Sequence, residues 1–187
     1  MSWWSRHLRP MAVVLVLWCS MASASCGYAL AGQGNFLPAS IRTIGIPTFT
    51  NLTSYFDIAQ VATDKVRTEF IGRGRYKVVP EATGVDAVLT GTITSISIVP
   101  TAFGAGQQAS RYVITITANI ELRETQKNTV LWANPYLSVR EEHDAGISSA
   151  EGAVIDPSAF FNQEANAVTR ITDEFARTVV SSILEAF

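Results

Sequence analysis

From Arg111 to Arg123 the chain alternates cleanly. Tyr112, Ile114, Ile116, Ala118, Ile120 and Leu122 fall on one side; Arg111, Thr115, Thr117, Asn119, Glu121 and Arg123 fall on the other. Side chains on a strand change face at every residue, so this period predicts a strand with one buried and one wet face, as in an antiparallel sheet. Two stretches carry the helical period instead. Ile58, Ala62, Val66 and Phe70 recur every fourth residue, with Val61 beside them, and predict a helix over 57–71. Val168, Ile171, Phe175, Val179 and Ile183 form the stripe of a second helix, running from Asp156 nearly to Phe187. Asn, Thr and Ser side chains at 51–54 supply helix-start chemistry to the first helix, and Gly72 and Gly74 are expected to stop it with positive φ. Asp156-Pro157 offers the second an N-cap followed by proline at the first helical position.

The remaining apolar stretches are shorter. Ile41–Phe49 predicts a first strand, placed near an edge or end by Pro47, and Tyr76–Val79 a second. Asp86–Val99 is long and β-branched, with Gly91 as a candidate bulge. Pro100–Ala109 reads as a Gly-rich loop holding Phe103, and Glu124–Asn128 as a turn. Thr129–Arg140 returns as a strand interrupted near Asn134-Pro135; Glu141–Ile155 reads as an irregular acidic loop. The economical assembly is an α+β two-layer sandwich: a mostly antiparallel four-stranded sheet with two helices on one face.

The N-terminus has another pattern. Arg6 and Arg9 precede an apolar core from Met11 to about Ala22, and Ser23, Ala24 and Ser25 follow. A basic start, a short apolar core and small residues predict a secretory signal peptide over 1–25. Two cleavages compete. Ala22-Ser23-Ala24 fits the A-x-A rule, whereas cleavage before Cys26 would make it the first mature residue, with its thiol acylated. Cys26 would then be the lone cysteine of the exported chain, and lipidation removes the liability of an unpaired thiol. Residues 26–40 read as a tether and 41–187 as a single domain.

Charge narrows the partners. Lys+Arg falls from 14 to 12 once Arg6 and Arg9 are gone, against 16 Asp+Glu, for a net charge of −4. No block of basic residues exists to neutralise phosphates, which excludes nucleic acid as the main partner. Catalytic and cofactor signatures are missing as well. Past the signal, His143 is the one histidine, expected to be exposed in a polar loop, and Glu141-Glu142 reads as a solvated pair. Gly72-Arg-Gly74-Arg reads as a helix stop, not a phosphate loop. No enzyme activity, metal or cofactor is expected.

Several stretches are familiar in their order and spacing: CGYAL, LPASIRTIGIPTFTNLT, EFIGRGRYKVV, DAVLTGTITSI, the RY opening the long strand, VLW and FARTVVSSILEAF. Together they resemble the LptE family of outer-membrane lipopolysaccharide-assembly lipoproteins, over nearly the whole exported chain. The resemblance implies lipidation at Cys26 and a periplasmic-side outer-membrane location. It also implies an LptD-type β-barrel as partner, which the protein plugs and helps to assemble while the pair inserts lipopolysaccharide. Phe103, Arg111, Thr115 and Thr117 are then the candidate barrel or lipid contacts. A second resemblance, through IPTFTN, GRYKVV and VLTGTITSI, is to lipoprotein modules that regulate peptidoglycan synthases or form secretion assemblies.

Overall fold

The computed structural model describes residues 37–73, 75–103, 109–144, 160–161 and 165–187, which fall in one compact unit, Asn35–Phe187. Cys26 and the rest of 1–36, Gly74, the loop at 104–108 and the Asp156-Pro157 cap lie outside the described residues. In chain order the elements are β1 (Thr43–Gly45), β2 (Thr50–Asn51), α1 (Ile58–Gly72), β3 (Lys77–Val79), β4 (Ala87–Phe103), β5 (Ala109–Glu124), β6 (Thr129–Asp144) and α2 (Ala165–Leu184).

The expected four-stranded, mostly antiparallel sheet is corrected to a mixed sheet of six strands. Its order is β3-β1-β4-β5-β6, with β2 also on β4. β4, β5 and β6 form an antiparallel meander, while β1 pairs in parallel with both β3 and β4, and β2 pairs in parallel with β4. The parallel half follows from α1: a helix between two neighbouring strands carries the chain back to the starting end. The two helices pack on each other and on one face of the sheet.

The alternation on β5 holds from end to end. Tyr112, Ile114, Ile116, Ala118, Ile120 and Leu122 have no exposed surface, and they meet both helical stripes: Ile58, Ala62, Val66 and Phe70 of α1, and Ile171, Phe175, Val179 and Ile183 of α2. On β4 the bulge lies elsewhere than expected. Gly91 pairs regularly with Ile120, and the register slips between Ile93 and Ser95. Up to Ile93 the odd residues face the core; after the slip Ile96 and Ile98 do, opposite Ile116 and Ile114. Gly91 has another reason to be glycine: a Cβ there would lie 2.8 Å from the Phe49 ring and 2.9 Å from Ile120 Cδ1.

The expected strand over 41–49 is broken, because Pro47 removes a backbone donor. Side chains of α1 take over its hydrogen bonds. Arg67 donates to the Ile46 carbonyl through Nε (2.9 Å) and Nη2 (2.7 Å), and Phe49 N–H donates to Thr63 Oγ1 (3.0 Å). α1 itself ends at Arg73 in a right-handed conformation, so Gly72 supplies no positive φ. Of the segment assigned to a loop at 100–109, the described residues Pro100–Phe103 and Ala109 are strand, with Pro100 opposite Tyr112 and Phe103 opposite Ala109. Glu141–Asp144, assigned to a loop, continue β6 opposite Ile114–Arg111.

Two predictions follow from these contacts. Gly91→Ala is expected to destabilise by about 1–3 kcal/mol through overpacking, and trimming the ring with Phe49→Leu in the same chain should recover part of that loss; urea unfolding of the wild type and the two variants measures it. Asp86 joins β1 to β4: its Oδ2 accepts the backbone N–H of Arg42 (3.0 Å) and Thr43 (2.8 Å), and these bonds hold its carboxyl below the usual carboxylate range. A carboxyl with a lower pKa folded than unfolded stabilises above the unfolded value, about 3.9, and that stability is lost as pH falls through the folded one. Asp86→Asn should flatten the acid limb of the urea midpoint below about pH 4.

Candidate functional site

The candidate contacts lie on the sheet face turned away from the helices and at its far end. On that face the three long strands line up in rows: Ser95, Thr117 and Ser138; Ser97, Thr115 and Arg140; Val99, Val113 and Glu142. Thr115 and Thr117 are half-buried, and the Thr117 carbonyl accepts the Thr94 hydroxyl at 3.0 Å from the bulge. The face is polar and nearly neutral along β4. Ala87–Phe103 contains no charged residue.

Arg111 and Phe103 come together at the end of the β4–β5 hairpin, where Ala102 pairs with Arg111 and Phe103 with Ala109. Phe103 is 40% exposed. Arg111, a candidate barrel or lipid contact, is held in an ion-pair cluster: its Nε lies 2.8 Å from Asp144 Oδ1 and its Nη1 3.9 Å from Glu142 Oε2. Asp144 draws the Arg111 pKa up, and the guanidinium holds the Asp144 carboxyl below its usual range. The charge of this candidate contact is therefore engaged within the sheet.

His143 departs furthest from expectation. It is 7% exposed, opposite Tyr112 on β6, with its ring 6.1 Å from that of Phe160 and nearly perpendicular to it. Odd residues of β6 face the helices here, so the supposed loop histidine belongs to an aromatic cluster with Tyr112, Phe160 and Phe161. Glu141, on the same side, is ion-paired with Arg170 of α2 and clips the helix to the sheet edge. Among the described residues no group of His, Cys, Asp or Glu is placed to hold a metal, and no helix is long and apolar enough to cross a membrane.

Sequence reasoning missed the most exposed large apolar side chains: Phe56 (86%), Tyr136 (82%) and Leu52 (66%). Phe56 and Leu52 sit in the turn between β2 and α1. Asn51 builds that turn instead of capping the helix. Its Nδ2 donates to the carbonyls of Tyr55 (2.7 Å) and Phe56 (3.3 Å), and its Oδ1 accepts from Thr53 N–H (2.9 Å) and Oγ1 (2.8 Å). The available signal was Asn-x-Thr, one residue before two aromatics that lie off the helical stripe: an Asx turn displaying apolar side chains.

Three comparisons bear on these features. The family model described as LptE, lipopolysaccharide-assembly, matches residues 41–183. No curated protein matches significantly. Among solved structures, rare lipoprotein B from Shewanella oneidensis is 12% identical with a TM-score of 0.43, covering 76% of this chain and 93% of that one. The PelC dodecamer from Paraburkholderia phytofirmans is 13% identical with a TM-score of 0.42, covering 82% and 93%. The hypothetical protein CT253 from Chlamydia trachomatis is 8% identical with a TM-score of 0.50, covering 77% and 96%. At these identities the likenesses concern the fold alone.

The Arg111 cluster yields a test by charge. Arg111→Glu places a third acid beside Asp144 and Glu142, so it should lower the melting temperature more than Arg111→Gln does. The difference should shrink as salt is raised, because exposed charges are screened within about 10 Å at 0.1 M. Thermal melts of both variants at low and high salt check it.

Proposed function

The chain belongs to the LptE lipopolysaccharide-assembly family, and from that premise we propose that it is lipid-anchored at Cys26 on the periplasmic side of the outer membrane, where it plugs an LptD-type β-barrel and assists it in inserting lipopolysaccharide into the outer leaflet. The family is non-enzymatic and acts in lipopolysaccharide assembly in the Gram-negative envelope. The observation that carries the finer reading is the extent of the match, 41–183, which takes in every strand and all but the end of α2.

The surface chemistry agrees with it. A barrel lumen is polar, and the outward sheet face is rich in Thr and Ser along β4 and the middle of β5, with its charged residues, among them Arg111, Arg140, Glu142 and Asp144, on β5 and β6. Thr115, Thr117 and Phe103 are its contacts with the barrel wall or lipid. Arg111 shapes the far end of that face through Asp144 and Glu142.

Capture of the tagged full chain from detergent-solubilised envelopes tests the partner. An LptD-type barrel should co-purify, identified by mass spectrometry; a penicillin-binding protein or a homo-oligomeric ring in its place would replace this reading with a peptidoglycan or secretion role. Cys26→Ala should leave the protein uncleaved or soluble in the periplasm. A wild-type chain with an unmodified Ser25 N-terminus would refute the anchor.

A further inference from the structure

β4 is a long strand with neighbours along only part of one side. On its outer side β1 pairs at Ala87–Val88 and β2 at Thr92–Ile93. β2 then stops at Asn51; Leu52 N–H still donates to the Ile93 carbonyl (3.0 Å), and the chain turns away. Beyond that point no described residue pairs with the outer side of β4. The Leu52 bond fixes which groups face the open slot. Ile93 has its side chain in the core and its carbonyl directed outward. On a regular strand side-chain face and hydrogen-bonding direction alternate together. After the bulge the core-facing residues are Ile96 and Ile98, so their N–H and C=O groups face the slot. Pro100 follows in the same phase, and its missing N–H ends the slot, where proline is tolerated.

The open side of β4 differs in chemistry from the edge strand β6. β6 carries the devices that keep an edge from pairing: Arg140, Glu142 and Asp144 exposed along it, and an irregularity at Asn134–Leu137 containing Pro135. Between its bulge and Pro100, the Ser95–Val99 stretch of β4 is uncharged and exposes Val99 (53%). At its entrance the Asn51 turn holds Leu52 and Phe56 out to solvent in a fixed geometry. That ordering is already done before any partner arrives.

We propose that the slot along Ser95–Val99 of β4 accepts an extended, uncharged segment of the barrel partner as an added strand, in line with β2, with Leu52 and Phe56 contacting its apolar side chains at the entrance. This rests on the barrel reading above. A closed barrel wall has no free edge to offer, so the segment comes from a loop or terminus of that protein. Its residues beside Ile96, which is half-buried, are apolar, and those beside Ser95 and Ser97 are polar. The backbone ladder supplies the attachment, and the side-chain alternation the selectivity.

Hydrogen exchange on the full-chain protein, alone and in its purified barrel complex, tests this. The Ile96 and Ile98 amides should exchange rapidly in the free protein and slow by at least about tenfold in the complex, with Ser95–Val99 the segment most protected. Leu52→Ser with Phe56→Ser, both on exposed side chains, should reduce the co-purified barrel by about tenfold with an unchanged melting temperature. If the barrel co-purifies but both amides keep their free rates, the strand-addition inference falls and the barrel reading stands. If no barrel co-purifies with wild type, both fall. If the amides become protected in the free protein as concentration rises, with a dimer in sedimentation, the occupant is a second copy and the proposal is overturned.

Discussion

The fold depends on hiding one face of β5. Six side chains from Tyr112 to Leu122 lose all contact with water, and no neighbouring strand can cover them, because strands add beside a sheet and not above it. Only a second layer can do so, and the apolar stripes of α1 and α2 provide it. The rest adjusts to that demand. Phe49 reaches the interface from the broken segment after β1 and meets the Phe175 ring edge-on at 6.5 Å. Gly91 gives up a side chain so that Phe49 can sit against the sheet. Thr63 and Arg67 turn from the helix surface to satisfy backbone groups that Pro47 displaced.

Where one physical pattern dominated, the sequence was easy to interpret. The period of 2 on β5 and the helical stripes placed the layers and nearly all of the core. The parallel half was harder to foresee, since β1, β2 and β3 have three, two and three residues, too few for a period to emerge. Their direction is a consequence of α1 lying between neighbours. The β4 bulge left a sign in the spacing: apolar residues step by two up to Ile93 and then by three to Ile96. A glycine looked like the better candidate, yet Gly91 reflects crowding, not backbone geometry.

The candidate site was legible in part. Arg111, Thr115 and Thr117 do share the wet face, and Phe103 lies at the same end. What composition could not reveal was the pairing that engages Arg111, because Asp144 and Glu142 had been assigned to a loop. His143 failed for the same reason. The described part of the segment read as irregular, Glu141–Asp144, is strand, and the alternation His143, Glu141, Val139, Leu137 turns the histidine inward. In Asn51-Leu-Thr53 the same side chains fit a helix cap and an Asx turn; the hydrogen bonds to Tyr55 and Phe56 decide for the turn.

These pairings bear on how such a molecule binds. Lys65 is matched with Asp173, Arg67 with Asp64, Arg73 with Glu69, Arg123 with Glu121, Lys127 with Glu124 and Arg170 with Glu141, in addition to the Arg111 cluster. Exposed pairs of this kind add little to stability. Their effect is to remove charge from the list of things a partner must answer. A surface neutralised from within exerts a weak long-range field, so steering by charge is slight and association is governed by contact. On the proposed function, neutral hydroxyls, the open side of β4 and the exposed Leu52 and Phe56 would carry recognition. Such contacts are short-ranged and geometric, and they suit a partner held nearby by the membrane more than one met by diffusion. The lipid anchor proposed at Cys26 complements such a surface, since it would supply the proximity that electrostatics does not.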